Sequence, residues 1–374
     1  MKVIIKEVSS KKDLRRFVHY PNALYKGHEF YVPTLESGDM DVLDPKKNHA
    51  FEFCEGKYFL ALDGKGKIVG RIAGIINYAY NKKMGQDLAR FGFMDFIDDN
   101  DVVDALFDTV ENWAHSKGMK ILSGPLGFLE FDNAGVLVEG YDELPTAYGK
   151  YNYPYYNDQL LRRGYAKETD WVEYRVTVPE VIPDTYDKAS RIIEERYHLH
   201  LADISTKKKF AAYFDQIAAV LNHAYENIHG YSELTPGQID DLKKQFVPQL
   251  DMRFVAVVLD GQDKVVAFGI CLPSVAKAMQ KTGGKLFPFG FLHLLHALKH
   301  NDVLDTLLIG VENEYKNKGV TALIFHGISK GIKDFGIKYI ETTRELEDNS
   351  SVHNLWNRFE YRLHKRARCY FRNI

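Results

Sequence analysis

Apolar positions along this chain fall into two rhythms, and the sequence of rhythms occurs twice. Residues 1 to 8 alternate apolar and polar, which predicts a strand, and Ser9-Ser10-Lys11-Lys12 opens a short helix through Phe17. From Tyr20 to Glu52 no period holds, and loops with one-turn helices are expected. Lys57 to Asn77 reads as a hairpin, two apolar runs about the turn Asp63-Gly64-Lys65-Gly66. Phe91 to Ile97 gives a strand. Asp101 is the expected N-cap of a helix reaching Lys117, with Asp104 at its third position, and Gly118 stops it before the strand MKILSG.

The tract Gly124 to Tyr156 breaks the rhythm, with six tyrosines, three prolines and no long period. Long aromatic loops inside compact chains serve as pocket walls or lids, or cap a core edge. Asp158 to Arg163 then reads as helix, Trp171 to Val178 as strand, and VPEVIPDTYD as a linker. Beyond it come a helix at Ser190 to Arg196, the short strand LHLAD, and a helix over Lys207 to Asn227. That helix points Phe210, Phe214, Ile217, Leu221 and Ala224 inward. Thr235-Pro236-Gly237-Gln238 has the chemistry of a helix start. Phe254 to Leu272 is a second hairpin.

The two halves align. Leu62-Asp63-Gly64 matches Leu259-Asp260-Gly261 at an offset of 197, Gly118-Met119-Lys120 matches Gly336-Ile337-Lys338 at 218, and Tyr165 matches Tyr361 at 196. The offset grows and then shrinks. So the second copy has an insertion before its central strand, and the first has its tyrosine tract after its own. Each copy reads hairpin, strand, helix, strand, helix, strand.

The richest stretch is Leu307 to Glu341. An apolar strand, Leu307 to Val311, runs into the turn Glu314 to Val320 and then a helix with Leu323, Ile324, Ile328 and Ile332 on one side. Amides at a helix N-terminus, helped by Lys316 and Lys318, suit a phosphate. Lys316, Gly319 and Thr321 resemble motif A of the GNAT acyl-CoA N-acyltransferases, which cradles the coenzyme A pyrophosphate. The copy pattern is that of two tandem GNAT-like domains. The fold class expected is α+β or α/β, each domain a mixed, mostly antiparallel twisted sheet flanked by helices. The expected domains are 1–178, a linker 179–188, and 189–374.

The resemblance implies that acyl-CoA is the co-substrate and that Ile309, Gly310, Val311, Lys316, Asn317, Lys318, Gly319, Val320, Thr321 and Asn349 hold it. The matching turn of the first copy, Ile97-Asp98-Asp99-Asn100-Asp101, carries three carboxylates that would repel a pyrophosphate. Only the second copy is expected to bind. Glu341, on the same strand face as Tyr339 and Thr343, is the candidate base for an amine acceptor, or else a structural carboxylate. The family's usual tyrosine acid falls on Trp356, so either the thiolate, of pKa near about 8.5, leaves without an acid, or Tyr155 or Tyr156 of the first copy stands in its place. Tyr151 and Asn152 are offered as substrate contacts, and His353 as helix filler. No spacing suggests a metal site.

Val275 to His300 contains no Asp or Glu. It combines Lys277, Lys281, Lys285 and Lys299 with Phe287, Phe289, Phe291, Leu292, Leu294, Leu295 and Leu298. Such a segment suits an acyl-chain channel, a membrane surface or an ordinary buried helix.

Composition narrows the classes. Of 374 residues, 45% are hydrophobic and 27% charged, with a formal net charge of −2, so nothing draws the whole chain to nucleic acid. Cys54, Cys271 and Cys369 have no ligand-like spacing, and no segment is apolar enough for a signal peptide or a span. A cytoplasmic protein, or one resting on the inner membrane face, is expected. The resemblance extends to bacterial tandem GNAT-like proteins. Val69-Gly70-Arg71-Ile72, Gly124-Pro125, Glu139 to Asp142 and Tyr151 to Tyr156 are its recurring stretches. Some similar proteins are implicated in acylating long-chain amines, as in bacterial ceramide synthesis. Two other readings stay open: a peptidoglycan-type aminoacyl transferase, and a binding module without catalysis.

Overall fold

A computed structural model describes residues 2–180, 184–349, 355–357 and 359–374. The first half contains β1 (Ile4–Glu7), α1 (Lys11–Leu24), α2 (Glu36–Val42), β2 (Cys54–Leu62), β3 (Ile68–Asn77), α3 (Tyr78–Met84), β4 (Leu88–Phe96), α4 (Asn100–Ser116), β5 (Ile121–Gly124), β6 (Val136–Glu139), α5 (Tyr155–Arg162) and β7 (Ala166–Thr177). The second contains α6 (Asp184–Tyr197), β8 (His200–Leu201), α7 (Lys207–Tyr225), α8 (Pro236–Phe246), β9 (Val255–Leu259), β10 (Val265–Pro273), α9 (Ala276–Thr282), α10 (Gly290–Ala297), β11 (Val303–Val311), α11 (Thr321–Phe335), β12 (Tyr339–Glu341), β13 (Glu345–Leu346) and β14 (Glu360–Asn373).

Two compact units form, and they do not follow the halves of the sequence. The first gathers Met1–Val172, Val275–Leu294 and His364–Ile374, and the second gathers Glu173–Ser274 and Leu295–Leu363. This differs from the division at 179–188 because each sheet is completed by a strand from the other half. In the first unit the order is β1-β2-β3-β4-β5-β14, and β14 lies antiparallel to β5 with Tyr370 opposite Gly124. In the second the order is β8-β9-β10-β11-β12-β7, with Arg175 of β7 opposite Glu341. Among the described pairings each sheet is antiparallel except for one pair, β4–β5 and β11–β12. Helix α6 also begins inside the segment expected to be a linker.

In the first unit α4 buries Val102, Val103, Leu106, Phe107 and Val110 against the sheet, while α1 lays Phe17 and Val18 on another cluster of it. The cap of α4 is Asp99 rather than Asp101. Asp99 has extended backbone and accepts from the Val102 amide at 3.2 Å, whereas Asp101 already lies in the first turn. Helix α1 runs past the expected end at Phe17, through Pro21. A proline has no N–H for the carbonyl four residues back. That carbonyl, of Phe17, instead accepts from Arg71 Nη1 at 2.9 Å.

Arg71 therefore ties α1 to the sheet. Its Nε donates to Asp95 of β4 at 2.8 Å, and Lys150 Nζ lies 3.3 Å from the same carboxylate. Arg71 and Asp95 are both buried. In the second unit the sheet packs Leu304, Ile340 and Val176 with Leu323, Ile324, Ile328 and Ile332 of α11, the apolar set its spacing predicted. The capping box at Thr235 and Gln238 also forms.

Removing Asp95 leaves the Arg71 guanidinium buried without its carboxylate, which costs about 3–5 kcal/mol in comparable pairs. Asp95→Ala is expected to lower the unfolding free energy in urea by that amount. A loss under about 1 kcal/mol would show the pair to be dispensable.

Candidate functional site

In each unit the two parallel strands share a ladder for three residues and then part. β4 and β5 pair from Leu88 opposite Ile121 to Arg90 opposite Ser123, and β11 and β12 from Val303 opposite Tyr339 to Asp305 opposite Glu341. Each long strand carries a bulge beyond that point. On β11 the register with β10 skips Leu307, and on β4 it shifts between the partners of Arg71 and Ala73, where Phe93 takes a φ of 44°.

The first gap is filled by its own chain. The Leu126 amide donates to the Phe91 carbonyl at 2.8 Å, and Lys150 Nζ donates to the Met94 carbonyl at 2.8 Å. The Tyr155 hydroxyl donates to the Phe96 carbonyl at 2.6 Å, and the Tyr156 hydroxyl accepts from the Phe96 amide at 3.0 Å. A Cβ on Gly92 would lie 2.1 Å from the Leu126 carbonyl oxygen, so chain already occupies that space. Tyr155 and Tyr156 thus satisfy the edge of β4. Tyr156 is fully buried, stacks on Phe96, and burial holds its hydroxyl well above the usual phenol range. Tyr151 contacts His28 Nε2 at 2.9 Å, and Asn152 Oδ1 accepts from the Leu137 amide at 2.7 Å. All four residues are engaged within the first unit. The acidic turn is engaged too, with Asp99 capping α4 and Asp98 accepting from Gln159 at 2.9 Å.

The second gap differs. Among the described residues nothing hydrogen-bonds the gap side of β11 from Leu307 to Val311, and the one contact before it is the Thr343 amide on Thr306 Oγ1 at 3.3 Å. Leu307, Leu308, Ile309 and Val311 are half-buried. Gly310 has another reason to be glycine, since a Cβ there would lie 2.4 Å from the Phe268 ring. β11 leads through a one-turn helix, Asn313–Tyr315, into the turn before α11. Asn317 and Gly319 hold left-handed backbone, φ 64° and 75°, and Gly319 also passes Ile193 of α6 so closely that a Cβ would lie 2.8 Å from it. The amides of Asn317, Gly319, Val320 and Thr321 meet no acceptor among the described residues. Lys318 lies over the rings of Tyr197 and Tyr315, at 5.2 and 5.1 Å, while Lys316 is exposed. A strand edge without partners, followed by free amides and a lysine, fits an extended ligand that ends in phosphate.

Around the parting of β11 and β12 lie four carboxyl groups, more than the sequence reading identified. Glu341 is buried and paired with Arg175 at 3.1 Å. Asp305, opposite it, is 1% exposed, and burial followed by the Glu341 charge raises its pKa well above the usual carboxylate range. Glu173 is buried nearby on β7. Glu345 is pushed up to about 8, chiefly by burial. Trp356 is buried and donates from Nε1 to Glu345 Oε1 at 3.2 Å. Asn349 is half-buried, its amide bonded to the Leu346 carbonyl at 3.0 Å. His353 lies outside the described residues. Asp305 carried a signal in sequence, a carboxylate inside the apolar run VLDTLLIGV. Glu345 carried none, because nothing in its local sequence marks it as shielded, and the Trp356 indole that bonds it comes from farther along the chain.

No protein-family model matches the chain. Protein YghO of Escherichia coli (strain K12) is 27% identical over 99% of this chain and 95% of its own length. A bacterial ceramide synthase of Caulobacter vibrioides is 27% identical over 92% of this chain and 91% of its own. Among solved structures, a tandem GNAT protein from the clavulanic acid biosynthesis pathway superposes with a TM-score of 0.56 at 11% identity, covering 100% of this chain and 98% of that one. The whole-length superposition, with two bulged and parting strand pairs, identifies the chain as a protein of the tandem GNAT-like fold.

Proposed function

We propose that the protein is an acyl-CoA-dependent N-acyltransferase, with coenzyme A held by the second unit and a long-chain amine as acceptor. The observation that carries this reading is the contrast between the two strand gaps. The edge of β4 is satisfied by Leu126, Lys150, Tyr155 and Tyr156, whereas the edge of β11 has no such partners among the described residues. An amide-bearing pantetheine arm can complete that edge as a further strand would. The amides of Asn317 to Thr321 and the ammonium of Lys316 would then meet its phosphates. The acceptor class is supported by the relative named a ceramide synthase and by the apolar, acid-free insertion.

In the reaction the amine nitrogen attacks the thioester carbonyl, and the C–S bond breaks as the amide forms. The amine must lose a proton and the thiolate must gain one. Glu341 is assigned as the proton acceptor, held in place by Arg175. Glu345 is assigned as the donor. With a pKa of about 8 its carboxyl keeps its proton at neutral pH, and the Trp356 indole fixes it where the family has a tyrosine. The acid has moved from position 356 to the group that position 356 holds.

Calorimetry with coenzyme A is expected to give one site per chain. Lys316→Glu should weaken it about tenfold, within the usual range for a phosphate contact, and Asp99→Ala should leave it unchanged. Incubation with palmitoyl-CoA and a long-chain amine should give the amide by mass spectrometry. Two coenzyme sites, or none, would overturn the assignment.

The Glu345 assignment has its own test in pH. An acid must be protonated, so activity should fall as pH rises through about 8, and Glu345→Gln should lower kcat by about 10²- to 10⁴-fold and flatten that limb. The folded chain keeps this proton to about 8 while the unfolded chain releases it near 4.5, so Glu345 makes stability fall as pH rises between those values. The Gln variant should lack that fall. An unchanged alkaline limb in the variant would remove Glu345 from proton transfer.

A further inference from the structure

The insertion between β10 and β11 is firmly seated at its base and bare at its tip. Ala276 and Met279 of α9 are buried with Val32, and Leu294 packs against the same cluster. Gln280 Nε2 donates to the carbonyls of Glu29 and Tyr31, at 2.7 and 3.1 Å, and the Glu36 amide donates to the Gly284 carbonyl at 3.0 Å. Beyond this anchor the side chains turn outward. Phe287 is 79% exposed, Phe289 70%, and Leu292 and Leu295, one turn apart on α10, 50% each. None of the seven large apolar residues from Phe287 to Leu298 is buried. This excludes the buried-helix reading of the segment.

Lone exposed apolar residues are ordinary, but two phenylalanines and two leucines within nine positions are not. What surrounds them is equally one-sided. Lys277, Lys281, Lys285, His293, His296, Lys299 and His300 are all exposed, and no Asp or Glu occurs from 275 to 300 in a chain whose net charge is −2. Charge and apolar surface thus coincide on one tethered segment.

We infer that residues 285–300 form a membrane-docking face for bilayers rich in acidic lipids, with Phe287, Phe289, Leu292 and Leu295 entering the interface and the lysines meeting lipid phosphates. Aromatic rings favour the headgroup boundary, and each lysine near an anionic surface adds attraction that salt screens. A protein partner would demand its own acidic, apolar counterpart, whereas a bilayer of acidic phospholipid supplies both layers at once. The inference extends the proposed function, since a long-chain amine resides in such a bilayer, but it rests on the exposed segment alone.

The test is flotation of the full chain with vesicles of phosphatidylethanolamine and phosphatidylglycerol, against vesicles of phosphatidylcholine. Binding to the first, weakened by salt and near absent on the second, is expected. Phe287→Ser with Phe289→Ser, and separately Lys281→Glu with Lys285→Glu, should each reduce binding about tenfold or more. Coenzyme A affinity and the melting temperature should stay at parental values, which separates failure here from failure of the acyltransferase reading. No flotation on acidic vesicles, or equal flotation of the double variants, would overturn the inference. So would a dimer in sedimentation analysis that the phenylalanine variants dissolve, because the patch would then serve self-association.

Discussion

Two parallel strands can share a ladder only while their registers agree, and in this protein each parallel pair agrees for three residues. A bulge on the longer strand then turns its edge away. Everything specific to the molecule follows from how the exposed backbone beyond that point is satisfied. Buried peptide groups must find partners, so an edge of this kind recruits something. In the first unit it recruits the glycine-proline segment, Lys150 and a pair of tyrosines. In the second no described residue takes it.

That contrast gives the repeat a division of labour. The first unit has filled its gap with its own chain, and the buried Arg71–Asp95 pair fixes α1 to the sheet. A buried ion pair contributes little net stability, yet it tolerates one arrangement of its partners and so positions them. Among the described residues the second unit keeps an open edge, helix-start amides without acceptors and a knot of carboxyl groups, at least two of which burial, and then their neighbours' charge, raise in pKa. Crowded acids at an opening are costly to a fold and useful to proton transfer.

The exchange of closing strands binds these roles together. β14 completes the sheet of the first unit and β7 that of the second, so neither half of the sequence holds a complete sheet. The insertion follows the same logic. It arises between two strands of the second sheet, yet its anchor is buried among residues of the first unit.

Legible in the order of residues alone were the repeated order of elements, the hairpins, the capping at Thr235, the apolar face of α11 and the asymmetry of charge between the two turns. Those features depend on near neighbours and on periods of two or 3.6 residues, which a single chain displays. The rest came from packing between residues far apart in the chain. The unit boundaries depend on strand exchange, which leaves no periodic trace. Helix α1 passes Pro21 because an arginine fifty residues later takes the freed carbonyl. The tyrosines that read as pocket wall serve as hydrogen-bond partners to a strand edge, because β4 parts from β5 there. Burial holds the carboxyl of Glu345 above its usual range, and the Trp356 indole reaches it from farther along the chain, a matter of solvent exclusion that residue order cannot state.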